Sequence, residues 1–206
     1  MSRETTLHVD DERYPGRVTR PDEPTDGGLL IVPGATHGPF EDVFDDLATA
    51  AAADGHLVAR FQTWADTDVL QTKTASDHAT DLRAAVAWLR DRGCESVAVV
   101  AKSFGGRLVL DTIPEVPDRL VLWAPAILHG DHDDAPSVDD ETLTAIRTPT
   151  RILQGDADET VTVDNAAGLA DALPNGELVT LAGEDHSFLG DRERVVEETL
   201  AFLSEP

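Results

Sequence analysis

Short runs of β-branched and apolar residues alternate along the chain with longer stretches whose apolar positions recur at helical spacing, and this alternation restricts the fold more than any other feature. A strand followed each time by a helix has its direction restored before the next strand begins. The strands therefore line up in parallel, and the helices must cover both faces of the sheet. The fold class read from this rhythm is α/β. Runs near residues 5–9 and 17–20 flank Tyr14-Pro15-Gly16, which reads as the turn of an antiparallel hairpin. Further runs at 29–32, 57–61, 96–101, 120–123, 150–153 and 177–181 bring the expected count to about eight strands. Helical spacing covers 40–53, 77–92, 105–113, 163–173 and 191–203. Trp88 and Leu89, on one of these helical faces, read as core anchors. There is no internal repeat and no break in composition, so residues 1–206 are expected to form a single domain.

One strand-to-helix transition has unusual chemistry. The apolar run Ser96-Val97-Ala98-Val99-Val100 leads into Ala101-Lys102-Ser103-Phe104-Gly105-Gly106-Arg107 and then the apolar Leu108-Val109-Leu110. A serine at so tight a turn is forced into an unfavourable backbone conformation, and the residues two before and two after it must be small to avoid the strand and helix. Ala101 and Gly105 satisfy that demand. The plainer reading of Ser103 is an N-capping residue on a glycine-rich turn. The turn matches neither G-x-x-x-x-G-K-[ST] nor G-x-G-x-x-G, so a nucleotide site is not expected.

A serine hydroxyl needs a histidine to take its proton and a carboxylate to hold that histidine. Both are sought in loops after strands, where a parallel sheet places its sites. The run 150–153 ends in Gln154-Gly155-Asp156-Ala157-Asp158-Glu159, and after one more helix and strand comes Gly183-Glu184-Asp185-His186-Ser187-Phe188. His186 is the candidate base. Asp156, Asp158 and Glu159 compete as the acid. Acyl transfer also needs two backbone N–H groups aimed at a developing oxyanion. The N–H of Phe104, directly after Ser103, is one candidate. The other is that of Ala35, in the loop Pro33-Gly34-Ala35-Thr36-His37-Gly38 after the third strand.

Together these motifs resemble the α/β-hydrolase superfamily, and within it the small, nearly cap-less, dienelactone-hydrolase-like branch with a serine nucleophile. The resemblance rests on Lys102-Ser103-Phe104-Gly105-Gly106-Arg107, on Thr148-Pro149-Thr150 leading into Gly155-Asp156-Ala157-Asp158, on Asp185-His186-Ser187-Phe188 and on Pro33-Gly34-Ala35, from about residue 28 to the C-terminus. It implies an α/β-hydrolase fold with a minimal cap. The family pattern puts the acid three residues after the glycine, with an apolar residue three further on, here Val161; it thus implies Asp158. Ala101 departs from the usual glycine, and Pro33 stands where relatives often carry histidine. Dienelactone hydrolases themselves use cysteine where this chain has Ser103, so dienelactone chemistry is not implied. Relatives often insert a lid in the connection that here spans only residues 125–147, which implies a small, open site suited to short acyl groups. The implied activity is hydrolysis of a small ester or thioester through an acyl-enzyme, with no cofactor and a small-molecule acyl substrate as partner. An acyltransferase using the same residues and a catalytically silent binding protein of this fold are the alternatives.

The remaining features bound the setting. Cys94 is the sole cysteine, which excludes a disulfide framework and a multi-cysteine metal site; it reads as an inert residue before a strand. His129 and His132 with Asp131, Asp133 and Asp134 read as a solvated acidic loop, not a metal site. Lys102 and Arg107 are expected to pair or face solvent. The N-terminus has no basic-then-apolar signal pattern and no apolar run is long enough to span a bilayer, so a soluble, cytoplasmic protein is expected. The formal net charge is −24, from 40 acidic against 16 basic side chains spread along the chain. Such a surface repels nucleic acid and anionic membrane, and neither is expected as a partner.

Only Lys73 and Lys102 are lysines among those 16 cations, the rest being arginine, and this balance resembles the surfaces of extreme halophiles. Repulsion among so many carboxylates is tolerable where molar salt shortens the Debye length to about 3 Å. The melting temperature should therefore rise clearly between about 0.1 M and molar KCl. A melting temperature independent of salt would contradict the halophilic reading.

Overall fold

The computed structural model describes residues 2–23, 25–36, 38–114, 116–129 and 137–205. In chain order the elements are β1 (Ser2–Val9), β2 (Glu12–Thr19), β3 (Gly27–Val32), α1 (Val43–Ala53), β4 (Leu57–Phe61), α2 (Thr67–Thr72), α3 (Ala75–Arg90), β5 (Ser96–Lys102) and α4 (Phe104–Thr112). There follow β6 (Arg119–Trp123), β7 (Leu128–His129), β8 (Ser137–Val138), α5 (Asp140–Ala145), β9 (Thr150–Gly155), α6 (Val163–Ala172), β10 (Gly176–Leu181) and α7 (Arg192–Leu203).

Eight strands form one sheet in the order β1-β2-β4-β3-β5-β6-β9-β10. The β1–β2 and β2–β4 pairings are antiparallel and every other pairing in this sheet is parallel. This is the α/β-hydrolase fold that the sequence rhythm and motifs implied. The strand order turns back between β3 and β5, so the chain leaves these neighbouring strands in opposite directions and opens a crevice beyond their carboxyl ends.

The central strands are buried on both faces, and their alternate side chains feed two cores. Along β5, Val97, Val99 and Ala101 join Leu82, Leu89, Leu108 and Leu169 of α3, α4 and α6. Ala98 and Val100 face the other way, toward Phe44 and Leu47 of α1 and Val195 and Phe202 of α7. Trp88 packs edge-on against Phe61 with ring centroids 5.4 Å apart and Leu89 is fully buried, so both anchor the core as expected. Cys94 is buried and free, and burial pushes its thiol pKa up, in keeping with an inert residue.

The structure corrects the reading of the first hairpin. Its turn is Asp10-Asp11, with Asp10 at φ 49°, whereas Tyr14, Pro15 and Gly16 lie inside β2. Pro15 has no N–H to give to a ladder, and β4 pairs with β2 only from Gly16 onward. A Cβ on Gly16 would stand 2.4 Å from Cδ1 of Phe61, so this glycine is set by packing of the aromatic ring and not by a turn.

Two helices lie outside the expected set. Both α2 and α5 have six residues, too few for a hydrophobic period to show. Each is started by an aspartate cap: Asp66 accepts from the Val69 N–H at 2.9 Å and Asp139 from the Thr142 N–H at 2.7 Å. The 125–147 connection holds only the short β7–β8 pair and α5 among its described residues, a minimal cap. The loop with His132, Asp131, Asp133 and Asp134 lies outside the described residues. No described helix is long and apolar enough to cross a membrane.

Candidate active site

Ser103 sits at the sharp step from β5 to α4 with φ 51° and ψ −117°, a conformation that an L-residue adopts only under constraint. The constraint comes from both sides. Its N–H donates to the carbonyl of Trp123 at 2.8 Å, and its carbonyl accepts from the N–H of Ala126 at 3.0 Å. Ala101 is wholly buried between Val32 of β3 and Leu122 of β6. A Cβ on Gly105 would lie 2.4 Å from the Pro33 carbonyl oxygen, so the first turn of α4 rests directly on the end of β3. Ser103 occupies the N-cap position of α4, but its hydroxyl makes no capping hydrogen bond. It lies instead 2.9 Å from Nε2 of His186.

His186 follows β10, and its Nδ1 is 2.8 Å from Oδ2 of Asp158, which follows β9. The Asp158 side chain is fully buried. Its Oδ1 accepts from the N–H groups of Thr160 at 2.7 Å and Val161 at 2.9 Å, while Oδ2 also accepts from the Gln154 side-chain amide at 3.0 Å. Burial pushes the carboxyl pKa up, but the bonds from Val161, His186, Gln154 and Thr160 outweigh it and leave it below its ordinary value. The carboxylate is therefore charged while it holds the imidazole. The competing acids point elsewhere: Asp156 is exposed and accepts from the Gly183 N–H at 2.6 Å, and Glu159 is exposed.

The loop carrying His186 is fastened at several points. A Cβ on Gly155 would stand 2.1 Å from the Glu184 carbonyl oxygen, so the end of β9 and the histidine loop touch at the backbone. That carbonyl accepts from the Ala157 N–H at 3.0 Å, and the buried Glu184 carboxylate receives the N–H groups of Gly190 and Asp191. Phe188, at φ 57°, is fully buried against Trp123. The Lys102 ammonium donates to the Ser187 carbonyl at 2.9 Å, binding the residue before the serine to the residue after the histidine. Burial lowers the Lys102 pKa while the carboxylates of Asp185, Asp158 and Asp42 draw it back up. Arg107 pairs with Asp111 at 3.3 Å, one turn along α4. Both cations that flank Ser103 are thus paired, as expected.

The loop after β3 is held against this centre. The Trp64 indole N–H donates to the Gly34 carbonyl at 3.3 Å, and the buried Arg60 donates to the Pro39 carbonyl at 2.9 Å and to Asp45 at 2.5 Å. A Cβ placed on Gly34 would be 3.4 Å from Cβ of Ser103. Ala35 and Phe104, whose N–H groups are the candidate oxyanion donors, border one open cleft of about 400 Å³. No cluster of three or more His, Cys, Asp or Glu that would hold a metal occurs among the described residues.

The structure brings together Ser103, Asp158 and His186 in the crevice between β3 and β5, with Ala35 and Phe104 beside them. It adds three residues that the sequence did not single out. Gln154 was detectable as a polar side chain ending an apolar strand; Trp64 and Glu184 carry no local signal, because their partners are distant in the chain or backbone groups.

Residues 59–202 match the model of the dienelactone hydrolase family. Among proteins of curated function, none matches the chain. Solved structures share the fold. A lid-less α/β serine hydrolase from Xanthomonas campestris is 22% identical, with a TM-score of 0.75 over 100% of this chain and 97% of that one. Est1E from Butyrivibrio proteoclasticus, solved with ferulic acid bound, is 16% identical, with a TM-score of 0.82 over 97% of each chain. An α/β serine hydrolase homologue from Coxiella burnetii is 19% identical, with a TM-score of 0.79 over 98% of this chain and 97% of that one.

The lowered Asp158 pKa has a consequence for stability. A carboxyl whose folded pKa lies below its unfolded value contributes fully above the unfolded value, about 3.9, and loses that contribution as the pH falls through the folded value. Asp158→Asn should therefore flatten the acid limb of the stability–pH curve below about pH 4. Urea denaturation across that range in molar KCl measures it, and an unchanged acid limb would contradict the assignment.

Proposed function

The chain belongs to the dienelactone hydrolase family, and from that membership we propose that it is a serine hydrolase that cleaves a small ester or thioester through an acyl-enzyme on Ser103. The observation that carries the proposal is the unbroken line of hydrogen bonds from Asp158 through His186 to the strained Ser103, at 2.8 Å and 2.9 Å.

In this reading, Ser103 Oγ attacks the substrate carbonyl while His186 Nε2 takes the hydroxyl proton. Asp158 stays ionised, keeps the imidazole in the tautomer that presents a bare Nε2 to the serine, and then stabilises the imidazolium. The negative charge on the tetrahedral carbonyl oxygen is met by the N–H groups of Phe104 and Ala35. His186 returns its proton to the leaving alcohol or thiol as the bond to it breaks. Water, deprotonated by the same imidazole, attacks the acyl-serine, and collapse of the second tetrahedral intermediate restores Ser103 and frees the acid. The reaction calls for no cofactor. Cys94 has no part in it, since it precedes β5 and Ser103 follows that strand at its opposite end.

The minimal cap supports a preference for short acyl groups, because little beyond the sheet edge is available to cover a long chain. In molar KCl, a fluorophosphonate probe should label the protein on Ser103 and leave Ser103→Ala unlabelled, and p-nitrophenyl esters should be turned over faster as the acyl chain shortens. No labelling would remove the serine-hydrolase reading. A preference for long chains would remove the small-site reading.

A further inference from the structure

Gln154, the last residue of β9 before Gly155, is wholly buried, which puts its side chain out of a substrate's reach. Its amide nitrogen faces three oxygens: Oδ2 of Asp158 at 3.0 Å, the Val161 carbonyl at 2.8 Å and the Gly155 carbonyl at 3.3 Å. All three accept, so only the N–H end of the amide fits there. A flipped amide would set its oxygen against every one of them. The other end, Oε1, is buried with no hydrogen-bond partner among the described residues. Leaving a buried oxygen unpaired costs stability that an apolar side chain of the same length would not lose. The position of the two N–H groups is what this glutamine provides in return.

That position bears on the triad. Oδ1 of Asp158 is held by the N–H groups of Thr160 and Val161, whereas Oδ2 is the oxygen that meets His186 Nδ1 at 2.8 Å. Gln154 is the second donor to Oδ2, and it reaches that oxygen from a central strand of the sheet and not from a loop. It also accepts no freedom in the turn itself: its bond to the Val161 carbonyl and the Val161 N–H bond to Oδ1 close strand, turn and carboxylate into one ring of hydrogen bonds. The place of Oδ2 sets the tautomer and direction of the imidazole. A misplacement of about 1 Å at such a point can cost on the order of a hundredfold in rate.

Resting on the serine-hydrolase reading, we propose that Gln154 is a positioning residue for the reaction: its amide fixes Asp158 Oδ2 at the point from which it orients His186 toward Ser103. Gln154 acts only through Asp158 and touches neither the substrate nor a proton in transfer.

A double-mutant cycle with a short p-nitrophenyl ester in molar KCl tests this. Gln154→Met keeps the length of the side chain and removes both the N–H groups and the unpaired oxygen. It should lower kcat and kcat/KM together, each roughly tenfold, with KM within about twofold of the wild-type value. In an Asp158→Ala background no Oδ2 remains to be placed, and there the same substitution should change kcat by less than about twofold. Gln154→Asn, which keeps an amide but withdraws it by one methylene, should lose kcat as Gln154→Met does. Rates are normalised to the Ser103 that a fluorophosphonate labels at completion, and each variant's melting temperature is recorded. A wild-type kcat per labelled serine in Gln154→Met overturns the proposal. So does an equal loss in both backgrounds, or failure of both variants to fold, since either marks Gln154 as a purely structural residue of β9. Labelling of the wild-type protein with a kcat indifferent to Gln154 rejects the positioning role and leaves the hydrolase reading intact, whereas absence of labelling and turnover in the wild-type protein rejects both.

Discussion

The rest of the site depends on the backbone of Ser103 being held at positive φ where β5 meets α4. An isolated chain would relax that conformation, so the surroundings must over-determine it. Below the turn, Gly105 lies against the Pro33 carbonyl, at a distance that no side chain could share. Beside it, the backbone of Ser103 is bonded to Trp123 and Ala126 at the end of β6. The elbow is thus clamped by the strands on either side of β5. Because those neighbours run parallel, their following loops emerge on the same edge of the sheet, and the loop carrying Gly34 and Ala35 is brought against the serine.

A second clamp acts on the two later loops. Asp158 and His186 come from neighbouring strands, β9 and β10, and their separation depends on how closely those two loops approach. The contact of Gly155 with the Glu184 carbonyl, together with the Ala157 N–H bond to the same oxygen, sets that approach at the backbone. Burial of Phe188 and the Lys102 bond to the Ser187 carbonyl then set the height of the imidazole above the sheet. Three loops distant in sequence are therefore fixed relative to each other mainly by backbone contacts, which allows side chains to be aligned to within a hydrogen-bond length before any substrate binds.

Much of this was legible in the sequence where the signal is local. The strand rhythm gave the parallel sheet because each central strand is apolar on both faces, and the serine turn was visible because small residues must flank it. The acid was not fixed by spacing alone: Asp156, Asp158 and Glu159 are equivalent until the turn after Gly155 sends Asp158 inward and leaves Asp156 to accept from Gly183. Tyr14-Pro15-Gly16 misled because proline and glycine mark turns by their backbone preferences, whereas here the glycine makes room for Phe61 and the proline lies past the end of the β4 ladder. The short helices α2 and α5 carry too few residues for a period.

The central claim is that the constrained Ser103 becomes acylated during turnover. The direct measurement is the intact mass of the protein quenched in acid within the first turnovers of a short p-nitrophenyl ester in molar KCl, followed by peptide mapping. The account predicts a mass increase of one acyl group on the peptide containing Ser103, absent from Ser103→Ala. Turnover of the ester by a protein that is acylated at another residue, or by Ser103→Ala at an undiminished rate, would contradict it.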